Sequence, residues 1–184
     1  MMKFLILVLA ACMAESIYAQ DAWTRHNFEI GGGGMFPVSG YKAEEYSSGP
    51  AGRVGFEFHA LKWLGAEVGI NEAGLTGSSC ESYGCTYSRE TFRFLDSGLR
   101  AHVLLDRGRI DLSVGIGGGY VWYPYADLFT NEALLQYSGK AAVALDRGGR
   151  FRLAFTVRTW RDLGRPTQQW LSTMGSLVVG LDRH

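Results

Sequence analysis

The sequence predicts an all-β chain folded as an eight-stranded antiparallel up-and-down β-barrel that crosses a membrane. Three observations predict it. Eight segments alternate apolar and polar residues, the period of a strand with two different faces. The links between them run short, long, short, long, so the chain returns to the same end after each pair of strands. No internal stretch reaches the apolar length of a spanning helix, and a chain without such a helix crosses a bilayer only as a closed barrel.

The segments follow in order. Asn27 to Phe36 sets Phe28, Ile30 and Phe36 on one face and Glu29 and Met35 on the other. Pro50 to Ala60 opposes Val54, Phe56 and Phe58 to Arg53, Glu57 and His59. A tight link at Leu61-Lys62 leads to Trp63 to Asn71, where Leu64, Ala66, Val68 and Ile70 face away from Glu67. After a long link from Glu72 to about Arg89, Glu90 to Leu105 sets Leu99, Ala101, Val103 and Leu105 against Asp96, Arg100 and His102. Phe92 and Phe94 fit either face. A short turn at Asp106-Arg107-Gly108-Arg109 follows.

Arg109 to Trp122 shows the clearest alternation, with Ile110, Leu112, Val114 and Ile116 against Asp111, Ser113 and three glycines. Beyond the link from Tyr123 to Ala133, Leu134 to Asp146 opposes Leu135, Tyr137, Ala141 and Val143 to Gln136, Ser138 and Lys140. The turn Arg147-Gly148-Gly149 returns the chain to Arg150–Trp160, where Phe151, Leu153, Phe155 and Val157 oppose Arg152, Thr156 and Arg158. Leu171 to Leu181 is the eighth strand.

Alternation alone does not say which face points outward. Size decides: one face carries Phe, Trp, Leu and Ile, and the other is diluted with Gly, Ala and Ser. Eight strands enclose a space just wide enough for side chains to fill, so the small-residue face belongs inside. Aromatic residues gather at strand ends, with Trp122, Tyr123, Tyr125, Trp160 and Trp170 by the long links and Trp63 and Phe151 by the short ones, as two belts at the lipid headgroups would. The interior then holds Glu29, Glu57, Glu67, Asp96 and Asp111 with Arg53, Arg100, Lys140, Arg152 and Arg158. Buried charges of both signs must pair, because an unpaired one bears its desolvation cost alone. A closed ion-pair network, and a plugged barrel without a wide pore, is the expectation.

Residues 1–19 are set apart as an export signal, with Lys3 as the positive region, Phe4 to Ala11 as a short apolar run and Ser16-Ile17-Tyr18-Ala19 before the cut. A lipobox-like run, Leu9-Ala10-Ala11-Cys12, offers the competing reading of a lipid on Cys12. Residues 20–184 form the barrel domain, with no further periplasmic domain expected. The chain has 18 Lys and Arg against 18 Asp and Glu, so it carries no electrostatic footprint for nucleic acid. Its 25 Gly, four Pro and 13% aromatic content suit close-packed strands.

Gly49-Pro-Ala-Gly-Arg-Val-Gly-Phe-Glu-Phe58, the following Trp63-Leu-Gly-Ala-Glu-Val-Gly-Ile70, and the Gly-rich fifth strand resemble the small eight-stranded outer-membrane barrels of Gram-negative bacteria, of the OmpA transmembrane-domain, OmpX and opacity-protein type. The resemblance covers nearly all of the mature chain. It implies the cell outer membrane, both termini and short turns in the periplasm, and longer extracellular loops at about 37–49, 72–89, 123–133 and 162–169. It implies outer-membrane lipid around a monomer and a surface ligand or host partner at the loops. One departure stands out: members commonly finish on an aromatic residue, whereas this chain ends Gly180-Leu181-Asp182-Arg183-His184.

Little chemistry is written into the residues. Cys80 and Cys85 lie in the longest loop of an exported chain, where a disulfide is expected; without a His nearby they suggest no metal site. His59 and His102 belong to the polar interior and to the turn end, away from the outer rim where barrel enzymes work, and no catalytic constellation assembles at the loops. The Gly31–Gly34 run has no phosphate-binding context and signals close packing or a bend. No cofactor is expected. Three functions remain open: a non-enzymatic outer-membrane protein serving surface interaction or envelope integrity, a lipid- or peptide-modifying barrel enzyme, and a secreted soluble lipocalin-like barrel with an apolar interior.

Overall fold

In the computed structural model the described residues are 24–81, 84–122, 132–165 and 167–182, with the backbone alone for 41, 42, 79–81 and 122. The two-residue alternation of the sequence becomes an alternation of burial: Phe151–Asp162 is buried at every even number and exposed at nearly every odd one. The strands are β1 (His26–Ser39), β2 (Tyr46–Ser47), β3 (Gly49–Leu61), β4 (Leu64–Glu81), β5 (Gly84–Leu105), β6 (Ile110–Trp122), β7 (Glu132–Ala144), β8 (Phe151–Asp162) and β9 (Gln169–Gly180), with one short helix, α1 (Tyr41–Glu45).

Every pairing is antiparallel. Of the nine strands among the described residues, β2 pairs there only with the outer part of β4, and the other eight form a ring in sequence order that β1 and β9 close. The seam runs from Asn27↔Gly180 to Ser39↔Gln169. Closure removes the free sheet edges that would otherwise template aggregation or expose backbone polar groups to lipid. No helix among the described residues is long and apolar enough to cross a membrane.

The apolar face is outside. Ile30, Val114, Ile116, Leu99, Leu153 and Phe155 are each more than half exposed, and Phe28, Phe56, Phe58 and Leu112 join them around the wall. A continuous apolar surface of this extent is incompatible with water and matches a hydrocarbon environment. The soluble lipocalin-like alternative needs the opposite facing, which the chain does not adopt.

Glycine makes the crowded interior fit. At Gly69 on β4, a Cβ would lie 2.4 Å from the Arg53 guanidinium, so only a missing side chain leaves room for that cation. At Gly33 on β1, a Cβ would fall 1.9 Å from the Thr173 carbonyl oxygen of β9. The glycine run therefore lets the first and last strands approach closely at the seam.

The structure departs from the sequence reading at the loop end. The span 72–89, read as a loop, is the continuation of β4 and β5: their ladder runs without a break from Leu64↔Ala101 to Glu81↔Gly84. The ladder with β3 ends opposite Ala73, and β2 lies alongside β4 as far as Gly77, so the hairpin runs roughly 25 Å beyond the end of β3 at strand rise. The span 37–49 contains α1 and β2, with Tyr46 opposite Gly77. The turn after β3 falls at Lys62-Trp63.

The aromatic belts also need correction. Trp63 and Phe151 are on the outer face, 37% and 41% exposed, but Trp160 and Trp170 are 0% exposed and point into the barrel. Parity explains this: Trp160 is in phase with the inward Arg152 and Arg158, and Trp170 with Ser172 and Ser176. They pack with Phe92, Phe94, Met35, Leu75, Val121 and Leu134 in an apolar cluster. Phe94 lies 5.2 Å from Trp160 and 5.7 Å from Trp170 between ring centroids, and Phe92 lies 5.4 Å from Trp170. Tyr46 adds an edge-on contact to Phe92 at 5.0 Å. Tyr123 and Tyr125, the signal segment and Cys12 lie outside the described residues, as does the Trp122 side chain.

Candidate functional site

Below the aromatic cluster, the inward positions of all eight strands converge on a charged interior. Glu29, Arg53, Glu57, Glu67, Asp96, Arg100, Asp111, Lys140, Arg152 and Arg158 are all buried there, brought together from seven strands because each occupies the inward parity of its own.

Glu67 is the hub. Its Oε1 accepts from Arg100 Nη2 at 2.8 Å and its Oε2 from Arg158 Nη2 at 3.0 Å, with Arg53 Nη2 at 3.5 Å. Arg53 turns its other nitrogen to Asp96 at 2.8 Å, and Asn71 donates to that same carboxylate. Lys140 bridges Glu29 at 3.0 Å and Glu57 at 3.2 Å, and Ser176 donates to Glu29 at 2.8 Å. Nearer the turns, Arg152 lies 3.4 Å from Asp111. Such contacts offset the cost of desolvation, since each carboxylate meets a cation or a neutral donor.

The histidines separate into two places. His59 and His102 are buried at the turn end, their ring centroids 4.4 Å apart. His102 stands between two carboxylates, with Nδ1 at 3.0 Å from Asp111 and Nε2 at 2.8 Å from Glu57. His26 lies outside, where its Nδ1 is 2.6 Å from Asp182 Oδ1. That carboxylate also accepts the backbone N–H groups of Arg25 and His26. The His26 hydrogen bond, helped by those two N–H groups, holds the Asp182 carboxyl below its ordinary range. In the turn before β8, Asp146 accepts the Phe151 N–H at 2.8 Å and is likewise lowered.

At the far tip of the hairpin, Cys80 stands directly opposite Cys85, and Cys85 is disulfide-bonded. Sequence reasoning missed the aromatic cluster and Asp162, which is also buried. Parity with Arg158 was the signal that would have found Trp160 and Asp162.

The outer wall carries a shallow apolar groove of about 450 Å³ where Ala101, Gly139 and Ala141 stand among Leu112, Val114 and Phe155. It faces lipid and offers almost no polar surface, which suits an acyl chain rather than a reacting substrate.

An apolar wall around a charge-lined core defines the class: a small membrane-spanning β-barrel. The solved structures this chain is similar to are of that kind. Neisserial surface protein A matches with a TM-score of 0.58 at 10% identity, over 86% of this chain and 98% of that one. Ail, the attachment invasion locus protein of Yersinia pestis, matches with a TM-score of 0.54 at 9% identity, over 84% and 97%. A second Ail structure, in complex with the heparin analogue sucrose octasulfate, matches with a TM-score of 0.51 at 9% identity, over 83% and 96%. The fold is therefore that of the small eight-stranded outer-membrane β-barrels. No protein-family model and no curated protein matches the sequence.

Proposed function

We propose that this chain is a non-enzymatic outer-membrane protein with a plugged interior, whose β4–β5 hairpin presents a surface for a ligand or partner outside the cell. The observation that carries the reading is the contrast between the two halves of the molecule. Inside, buried charges are paired and Phe92, Phe94, Trp160 and Trp170 pack together toward the loop end, which supports a filled interior without a wide pore. Outside, the β4–β5 hairpin extends well beyond the end of β3, with Tyr87 70% exposed near its tip. The Cys80–Cys85 pair closes that tip as a disulfide in an oxidising compartment, and this would hold the projecting surface in one shape. That Ail has been seen with a sulfated sugar analogue supports ligand capture as something a barrel of this fold can do.

Bilayer recordings of the reconstituted full chain test the plug: silence at moderate voltage supports it, and stable conductance steps overturn it. The enzymatic alternative gains no support from His59 and His102, which lie buried at the turn end. An unchanged lipid A mass profile in cells lacking the protein supports a non-enzymatic role, and a missing modification would reverse it.

A further inference from the structure

We propose that Glu57, His59 and His102 form a binding site for a divalent transition ion of the zinc type, at the turn end of the barrel interior. Glu57 and His59 stand two residues apart on β3 and so share its inward face, and His102 meets them from β5 across β4. The intervening strand contributes Gly65, paired with His59 on one side and with Arg100 on the other. A Cβ there would lie 3.1 Å from Glu57 Oε1 and 3.3 Å from His102 Nε2. The glycine leaves clear the place where the donor atoms meet.

One ligand atom from each residue lies within 4.8 Å of the others. His102 Nε2 is 2.8 Å and His59 Nε2 3.5 Å from Glu57 Oε1. Around a tetrahedral ion with bonds of about 2.1 Å, ligand atoms sit about 3.4 Å apart, so small rotations of these side chains suffice. Two imidazole nitrogens and a carboxylate oxygen are a donor set that zinc accepts while keeping a fourth position for water. The arrangement behind the ligands fits as well. His102 turns its other nitrogen to Asp111 at 3.0 Å, the carboxylate support that fixes ring orientation in metal-bound histidines. Lys140 engages the other Glu57 oxygen at 3.2 Å, leaving Oε1 to face the rings.

The surroundings limit the affinity. Arg100 Nε lies 3.7 Å from Glu57 Oε1, and Lys140 and Arg152 stand nearby, opposed by Asp111 and Glu29. The wall gives a dication little net attraction, so binding rests on the donor set. Asn27, whose amide nitrogen is 3.2 Å from His59 Nε2, turns aside or offers its oxygen. Ligands drawn from two separate strands leave no spacing motif, which is why the sequence alone did not suggest the site.

The test uses the folded full chain in detergent, its fold checked by gel mobility before and after boiling. Titration with Zn²⁺ alone in a calorimeter, and with Co²⁺ followed by its visible absorption, should show saturable binding of a single ion. His59→Gln and His102→Gln should each weaken it on the order of 100-fold, and Asp111→Asn by roughly 10-fold. His26→Gln, outside the barrel, should change nothing. If His102→Gln does not fold, His59→Gln carries the test, since its loss removes a ligand but none of the Asp111 or Lys140 pairings. A folded barrel that binds no Zn²⁺, or binding indifferent to His59→Gln, overturns the proposal.

Discussion

At the scale of single residues, the interior is governed by what happens when one member of a buried pair is removed. Glu67 satisfies Arg100 and Arg158 directly and stands near Arg53. Glu67→Gln would leave Arg158 buried without its counter-charge and weaken the pairing of Arg100, which keeps Glu57 at 3.7 Å, and should lower the unfolding free energy by about 3–5 kcal/mol. Urea unfolding from lipid vesicles measures this; an unchanged midpoint would mean that the network is not what holds the interior together. The terminal clasp makes a different demand. Because the folded state lowers the Asp182 carboxyl, its contribution is present above the ordinary carboxylate range and is lost as pH falls through the lowered folded value. Protection of the amides at the start of β1 and the end of β9, taken as their exchange relative to the unstructured rate at the same pH, should therefore fall on acidification, and Asp182→Asn should lower it already at neutral pH.

At the scale of elements, the short turns set register and the long hairpin carries the surface. The β5–β6 turn places both Asp106 and Arg107 in the left-handed region, with φ of 47° and 54°, and is closed by the Gly108 N–H to the Leu105 carbonyl at 3.0 Å. This is the turn geometry that matches strand twist, built here without glycine at its centre. Arg107→Gly should stabilise the barrel by about 1 kcal/mol, because relief of the strained backbone exceeds the added flexibility of the unfolded chain. A lower midpoint in the same urea assay would contradict that account. The strands were legible in the sequence because lipid on one side and a charged core on the other impose a strict two-residue period. The outer halves of β4 and β5 were not, because polar residues such as Thr76, Ser78, Thr86 and Ser88 and the glycines among them blur the alternation, and residues 84–89 are exposed on both faces. Trp160 and Trp170 were misplaced for a related reason. Aromatics near strand ends suit a lipid interface, but their parity with Arg158 and Ser172 put them inside, and parity is fixed by backbone geometry whereas belt position is only a preference.

At the scale of the whole molecule, a wall of exposed Ile, Leu, Val and Phe encloses buried acids and bases, an inside-out arrangement relative to a water-soluble protein. That inversion places the chain in lipid, and the proposed filled interior and ligand-binding hairpin both rest on it. How the barrel is made was plain from residue types and link lengths, whereas the candidate site was only half visible. The charged residues could be assigned to the interior by parity, but which carboxylate meets which cation depends on the stagger of strands around the ring, and alternation carries no information about stagger. The most direct test is fractionation of cells producing the chain, followed by electrophoresis of the outer-membrane fraction with and without boiling. A closed membrane barrel should be recovered in that fraction and migrate differently once heat has unfolded it. Recovery as a soluble protein with one mobility, boiled or not, would contradict the inverted barrel and everything built on it.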